Sequence, residues 1–186
     1  MSSHHIVREN QEPALLVEDF HALSAEYLGQ ILEWSPTIIT NEENLDYFLA
    51  QGIKVDILYG DDTVNYQEDI KWIKPQKDLF NDALTYLKDH NYKAVNIFAS
   101  SCTALFLDFA DKLNIVVFAQ GIRNVAVSTQ YQKWKRSEDK MYVDVAVIKS
   151  FNGLQHLYDN VFEVQEDGFI VLEFNTENFV FVGEEV

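Results

Sequence analysis

Asp78-Leu79-Phe80-Asn81-Asp82-Ala83-Leu84, then Ala94-Val95-Asn96-Ile97-Phe98, then Ile115-Val116-Val117-Phe118: this run decides the fold. The first piece starts a helix. Asp78 is an N-cap residue, and Leu79, Phe80, Ala83, Leu84 and Leu87 recur at helical spacing. The second and third pieces are short apolar runs of strand type. Ser101 is expected to cap a helix between them that runs through Lys112. Strands separated by helices of about ten residues imply βαβ units and a parallel sheet.

The same grammar extends toward the N-terminus. Ala14 to Val17, Pro36 to Thr40 and Val55 to Tyr59 read as strands. Ser24 to Trp34 reads as a helix, and a second begins at Asn41 and ends at Gly52. Beyond Gly121 the helical period stops. Val125 to Val127, Met141 to Ile148, Phe169 to Phe174 and Phe179 to Val182 are β-rich, about five strands in all, with Asn175 to Asn178 as a hairpin loop. The expected fold class is α/β: a parallel-sheet α/β domain over residues 1–121, then a small all-β, sandwich-like domain over 122–186.

Composition narrows the function. Thirty Asp and Glu stand against fourteen Lys and Arg, a net charge of −16 in 186 residues. Coating nucleic acid or an anionic membrane requires clustered cations, so neither partner is expected. No apolar run reaches the roughly 18 residues that span a bilayer. No secretory signal is read at the N-terminus, and Cys102 is the single cysteine, so a cytoplasmic setting is expected. The five histidines form no metal-ligand pair on a helix.

In a parallel sheet, ligands sit beyond the carboxyl ends of the strands. Gly60-Asp61-Asp62 follows one such end. Two adjacent carboxylates there suit Mg²⁺ and a phosphate substrate, or a solvated turn. Asp78 and Asp82 either complete that metal cluster or cap the following helix. Ser100 and Ser101 offer a neutral, donor-rich turn, a candidate pocket wall. Neither G-x-x-x-x-G-K-S/T nor G-x-G-x-x-G is present. Lys133-Trp134-Lys135-Arg136 is the dense basic run, read either as an interaction loop for an anionic partner or as a solvated loop.

The order of elements from about Ala14 to the C-terminus resembles the thiamine pyrophosphokinase family. Gly52-Ile53-Lys54-Val55-Asp56-Ile57-Leu58-Tyr59-Gly60-Asp61 is similar to the family's strand leading into G-D-x-D-S. Lys77 to Leu84 resembles its T-D-x-x-K-A-L helix start, and Phe179 to Gly183 its last strands. The resemblance implies ATP and Mg²⁺ as cofactors, pyrophosphoryl transfer to thiamine, and a homodimer with thiamine at its interface. It places Mg²⁺ at Asp61 and Asp62 with Asp78 and Asp82, and the nucleotide near Asn41, Gly60, Ser100 and Ser101. Several motif positions differ. Asn41-Glu42-Glu43 stand where the family has D-G-G, and Thr63-Val64 where it has D-S. Two readings follow: an active kinase, or an inactive relative that is a dimeric small-molecule-binding or protein-interaction module.

Overall fold

The structure, a computed structural model, describes residues 12–22, 24–60 and 69–186. Its α/β half runs β1 (Ala14–Val17), α1 (Ala25–Leu32), β2 (Ile38–Asn41), α2 (Glu42–Ala50), β3 (Ile57–Tyr59), β4 (Lys71–Ile73), α3 (Leu79–Asp89), β5 (Ala94–Phe98) and β6 (Asn114–Ala119). The remainder is β7 (Ile122–Val127), β8 (Gln130–Lys135), β9 (Lys140–Tyr142), β10 (Ile148–Asn152), β11 (Leu154–Tyr158), β12 (Val161–Val164), β13 (Gly168–Phe174) and β14 (Val180–Glu185).

Eleven strands form one sheet in the order β11-β12-β9-β14-β7-β6-β5-β1-β2-β3-β4. From β4 to β6 every pair is parallel. The β6–β7 pair is antiparallel, because the chain reverses through Gln120 and Gly121, both at positive φ. That two-residue turn matches the twist of a hairpin. The sheet therefore continues unbroken past residue 121. A second sheet, β10-β13-β8, covers one face of its antiparallel part.

Three apolar layers hold these parts. Leu15, Val17, Phe98 and Phe118 pack under Leu28 of α1 and Leu45 and Phe48 of α2. Leu16, Ile39, Val95, Ile97 and Val117 face Ala83, Leu84 and Leu87 of α3, with Phe106 and Leu113. Met141, Phe162, Val164 and Val182 meet Ile170, Leu172 and Phe174 of the smaller sheet. The result is an α/β layer structure running into a β-sandwich.

Local chemistry explains the elements. Ser24, Asn41 and Asp78 cap the three helices with side-chain oxygens. Gly52, at φ 67°, closes α2, and the Ile53 N–H returns to the Phe48 carbonyl at 2.9 Å. Four expectations need correction. The helix expected from Ser101 is a 3-10 helix, Ala104–Phe109, preceded by Thr103. Packing sets it, since Phe106 is buried edge-on against Phe80 at 4.9 Å. The short strand β4 was not expected. The β-rich half holds eight strands, not five. Residues 175–178 do not form a hairpin loop: β13 lies in one sheet and β14 in the other. Asn175 holds this crossing through bonds to the carbonyls of Val147 and Ala146, both at 2.9 Å.

Candidate functional site

The strand order places a topological switch between β1 and β5. From β1 the chain grows outward through β2, β3 and β4, then returns to the other side as β5. Open α/β sheets bind ligands at such a point, beyond the carboxyl ends. Here a carboxylate of the chain itself lies at that position. Glu18, the first residue after β1, accepts the Ser100 N–H on Oε2 at 2.9 Å. The Ser100 carbonyl accepts from Gln120 Nε2 at 3.3 Å. The buried Asn44 side chain donates from Nδ2 to the Glu18 carbonyl at 2.9 Å and to Asn41 Oδ1 at 2.8 Å.

Asn41, the last residue of β2, and Gly60, Ser100 and Ser101, which follow β3 and β5, thus lie at the same end of the sheet. Asn41 is committed to capping α2. Glu42 lies against Gly60 so closely that a Cβ there would overlap its side chain. Glycine at 60 therefore makes room for a carboxylate of this chain. Ser100 and Ser101 are exposed.

Asp61 and Asp62 lie outside the described residues. Asp78 and Asp82 are described, and both serve local structure. Asp78 accepts Asn81 N–H on Oδ1 at 2.9 Å and Asn81 Nδ2 on Oδ2 at 2.6 Å. The backbone bond from Asn81 holds its pKa below the usual range. Asp82 Oδ2 accepts the N–H groups of Gln76 and Lys77 at 2.6 and 3.1 Å. Burial and then the Asp82 charge push the Tyr59 phenol up, which sets Asp82 beside the β3 end. Among the described residues no group of three or more His, Cys, Asp or Glu could hold a metal ion. Asp78 and Asp82 are thus engaged by backbone and side-chain donors of their own segment, and no step is routed through Mg²⁺.

A cavity of 480 Å³ lies where the 3-10 helix meets the antiparallel strands. Its apolar walls include Leu107, Val143, Phe179 and Phe181, and Asn124, Asn160 and Asn178 bring amide groups. Among its described lining residues Asp144 is the one carboxylate, and there is no Lys, Arg or His. Asp144 accepts the Ala146 N–H at 2.9 Å, which fixes its side chain. Cys102 also lines it. Burial pushes that thiol up to about 12, so it is a neutral wall and not a nucleophile.

The basic run is not a loop. Lys133, Trp134 and Lys135 belong to β8, and Arg136 follows it. Lys133 and Lys135 turn inward to the carboxylate of Glu184 on β14, at 2.7 and 2.9 Å. Trp134 turns outward, 49% exposed, directly opposite Phe169, 63% exposed.

Solved structures identify this arrangement of layers. Yeast thiamin pyrophosphokinase superposes with a TM-score of 0.69 at 8% identity, over 97% of this chain and 88% of its own. The chain has the thiamin pyrophosphokinase fold. The thiamin pyrophosphokinase of Geobacillus thermodenitrificans gives 0.65 at 12% identity, over 93% and 96% of the two chains. A Lactobacillus plantarum protein gives 0.68 at 12% identity, over 93% and 97%. No protein-family model matches the chain, and no curated protein matches it in sequence. No helix among the described residues is long and apolar enough to cross a membrane.

Two features of this thiamin pyrophosphokinase fold escape sequence reasoning: Glu18 and the cavity. Glu18 gave one local signal, a carboxylate directly after the first strand. Its importance depends on β5 returning beside β1. The cavity joins Thr103 to Asn178, and no local pattern links them.

Proposed function

We propose that this chain is a non-catalytic small-molecule-binding protein of the thiamin pyrophosphokinase fold. Its ligand is a thiamine-like heteroaromatic cation, held in the cavity that Asp144 lines. The observation that carries this reading is the Glu18 carboxylate on the Ser100 N–H. A phosphate at the switch point would need that donor and would meet a fixed negative charge. Two like charges at about 4 Å repel by roughly 4 kcal/mol at an effective dielectric of 20. Glu42 over Gly60 adds to the same unfavourable field.

The cavity supports the other half of the reading. Its volume falls within the roughly 300–1,000 Å³ usual for small-molecule sites. Apolar and aromatic walls suit a flat ring, amides suit ring nitrogens, and a carboxylate with no cation opposing it among the described lining residues suits a positive charge. We propose a homodimer as the working form, with the exposed Trp134 and Phe169 pair as the apolar surface that association would cover.

The test is AMP release from ATP with thiamine and Mg²⁺, at enzyme concentrations of tens of micromolar. No release above a blank is expected. Turnover that Asp61→Asn abolishes would overturn the proposal and establish Asp61 and Asp62 as the Mg²⁺ ligands of an active ATP-dependent kinase.

A further inference from the structure

Three cations meet one carboxylate on the sheet face that carries α1 and α2. Register fixes their place. Val17, Phe98, Phe118, Arg123 and Glu184 are successive partners across β1, β5, β6, β7 and β14. They form one row at the carboxyl end of the parallel strands. Strands lie about 4.8 Å apart, so Arg123 stands roughly 10 Å along the row from Phe98.

Glu184 is 5% exposed. Its Oε1 accepts from Arg123 Nη1 at 2.8 Å and from Lys133 Nζ at 2.7 Å. Its Oε2 accepts from Lys133 at 2.7 Å and from Lys135 at 2.9 Å. Lys135 also meets Asp139 at 3.3 Å, which balances it. Arg123 and Lys133 remain against the single charge of Glu184. The cluster therefore keeps a positive excess within a chain of net charge −16.

Arg123 and Lys133 donate to the same oxygen, so the two charges are close neighbours and repel. Both side chains stay partly open to water. A guanidinium has five N–H groups and an ammonium three, so donors remain after Glu184 is served. An arriving oxyanion would use those donors and relieve the repulsion. Arg recognises such groups through two parallel N–H bonds.

We infer that Arg123 and Lys133, set on Glu184, form a binding site for a phosphate-type oxyanion, either free or as the phosphate end of a small molecule. The site is independent of the cavity. Asn124, which lines the cavity, is the next residue on β7 and points to the opposite face.

The test is a titration of the full chain with inorganic phosphate, against sodium chloride at matched ionic strength, followed by backbone amide NMR. A parallel titration uses phenyl phosphate. Saturable shifts are expected, centred on residues 122–124 and 132–134. Affinity should fall at least tenfold in Lys133→Gln and in Arg123→Gln. It should rise in Glu184→Gln, which removes the competing charge, and stay unchanged in Lys149→Gln, an exposed lysine paired with Glu173. Equal binding of both probes assigns the site to the oxyanion alone. Tighter phenyl phosphate assigns it to a phosphorylated small molecule. Absence of saturable shifts, or equal affinity in wild type and Lys133→Gln, overturns the inference. Lys133 is exposed enough for that variant to fold even where Arg123→Gln does not.

Discussion

Replacing Glu184 by Gln keeps the shape of the side chain and removes its charge. Burial by itself would raise the Glu184 carboxyl. Hydrogen bonds from Lys133 and Lys135, and their charges, outweigh that and hold it down at about 2 against an ordinary 4.5. One pKa unit corresponds to about 1.4 kcal/mol, so the ionised carboxylate stabilises the fold by about 3 kcal/mol. The sign is that of a depressed acid. This contribution is complete above pH 4.5 and declines as pH falls toward about 2. Urea unfolding of wild type and Glu184→Gln at pH 7 should differ by about 3 kcal/mol, or roughly 6–12 °C in Tm for a chain of this size. The difference should shrink steadily below pH 4.5, because a protonated Glu184 resembles Gln. Other acids titrate in both proteins and cancel. A gap below about 0.5 kcal/mol at pH 7, within the range of an exposed ion pair, would refute the reasoning. So would a gap that does not change with pH.

Three further outcomes are expected. Asp78→Ala removes the α3 cap and should cost about 1 kcal/mol in urea unfolding without altering thiamine binding; loss of binding would tie Asp78 to a ligand. Cys102, with its thiol raised to about 12 by burial, should resist iodoacetamide at pH 8 in the folded protein and react once urea unfolds it. Sedimentation at micromolar concentration should give a single species of dimer mass. Trp134→Glu should shift it to monomer, and a wild-type monomer contradicts the proposed assembly.

Much of the α/β half can be read from the chain because its signals are local and agree with one another. Ala94 to Phe98 is an apolar run between a capped helix and a polar turn, and it is β5 to the residue. Asp78 announces α3 by a side chain that does cap it. Strand β4 is hidden because it is a three-residue edge strand that begins with an exposed Lys71. The β-rich half is harder to read. β10 and β11 lie at sheet edges and are largely exposed, so they lack the apolar–polar alternation that marks a half-buried strand. The crossing at Asn175 looks like a hairpin locally, and only the pairing of β13 with β8 and β10 shows that it changes sheets.

The site divides in the same way. Sequence places Asn41, Gly60, Ser100 and Ser101 at strand ends, and they share one end of the sheet. The use that each is put to is tertiary. Glu18 reaches Ser100 across 82 positions. The basic run around Trp134 gives a local signal of cations, but Glu184, 51 positions beyond Lys133, decides how two of them are used. The excess acidity, read first as a general property, also has a local place: Glu18 on the Ser100 N–H and Glu42 against Gly60 set carboxylates of the chain itself at the carboxyl end of the sheet.

Calorimetric titration of thiamine into wild type and Asp144→Asn tests the central claim most directly. Thiamine should bind wild type saturably, without ATP or Mg²⁺, and about tenfold more weakly when the carboxylate becomes an amide, a change of about 1.4 kcal/mol. Asn at 144 keeps an oxygen for the Ala146 N–H, so the cavity wall stays in place. Absence of heat with wild type, or equal affinity in both proteins, would contradict the account.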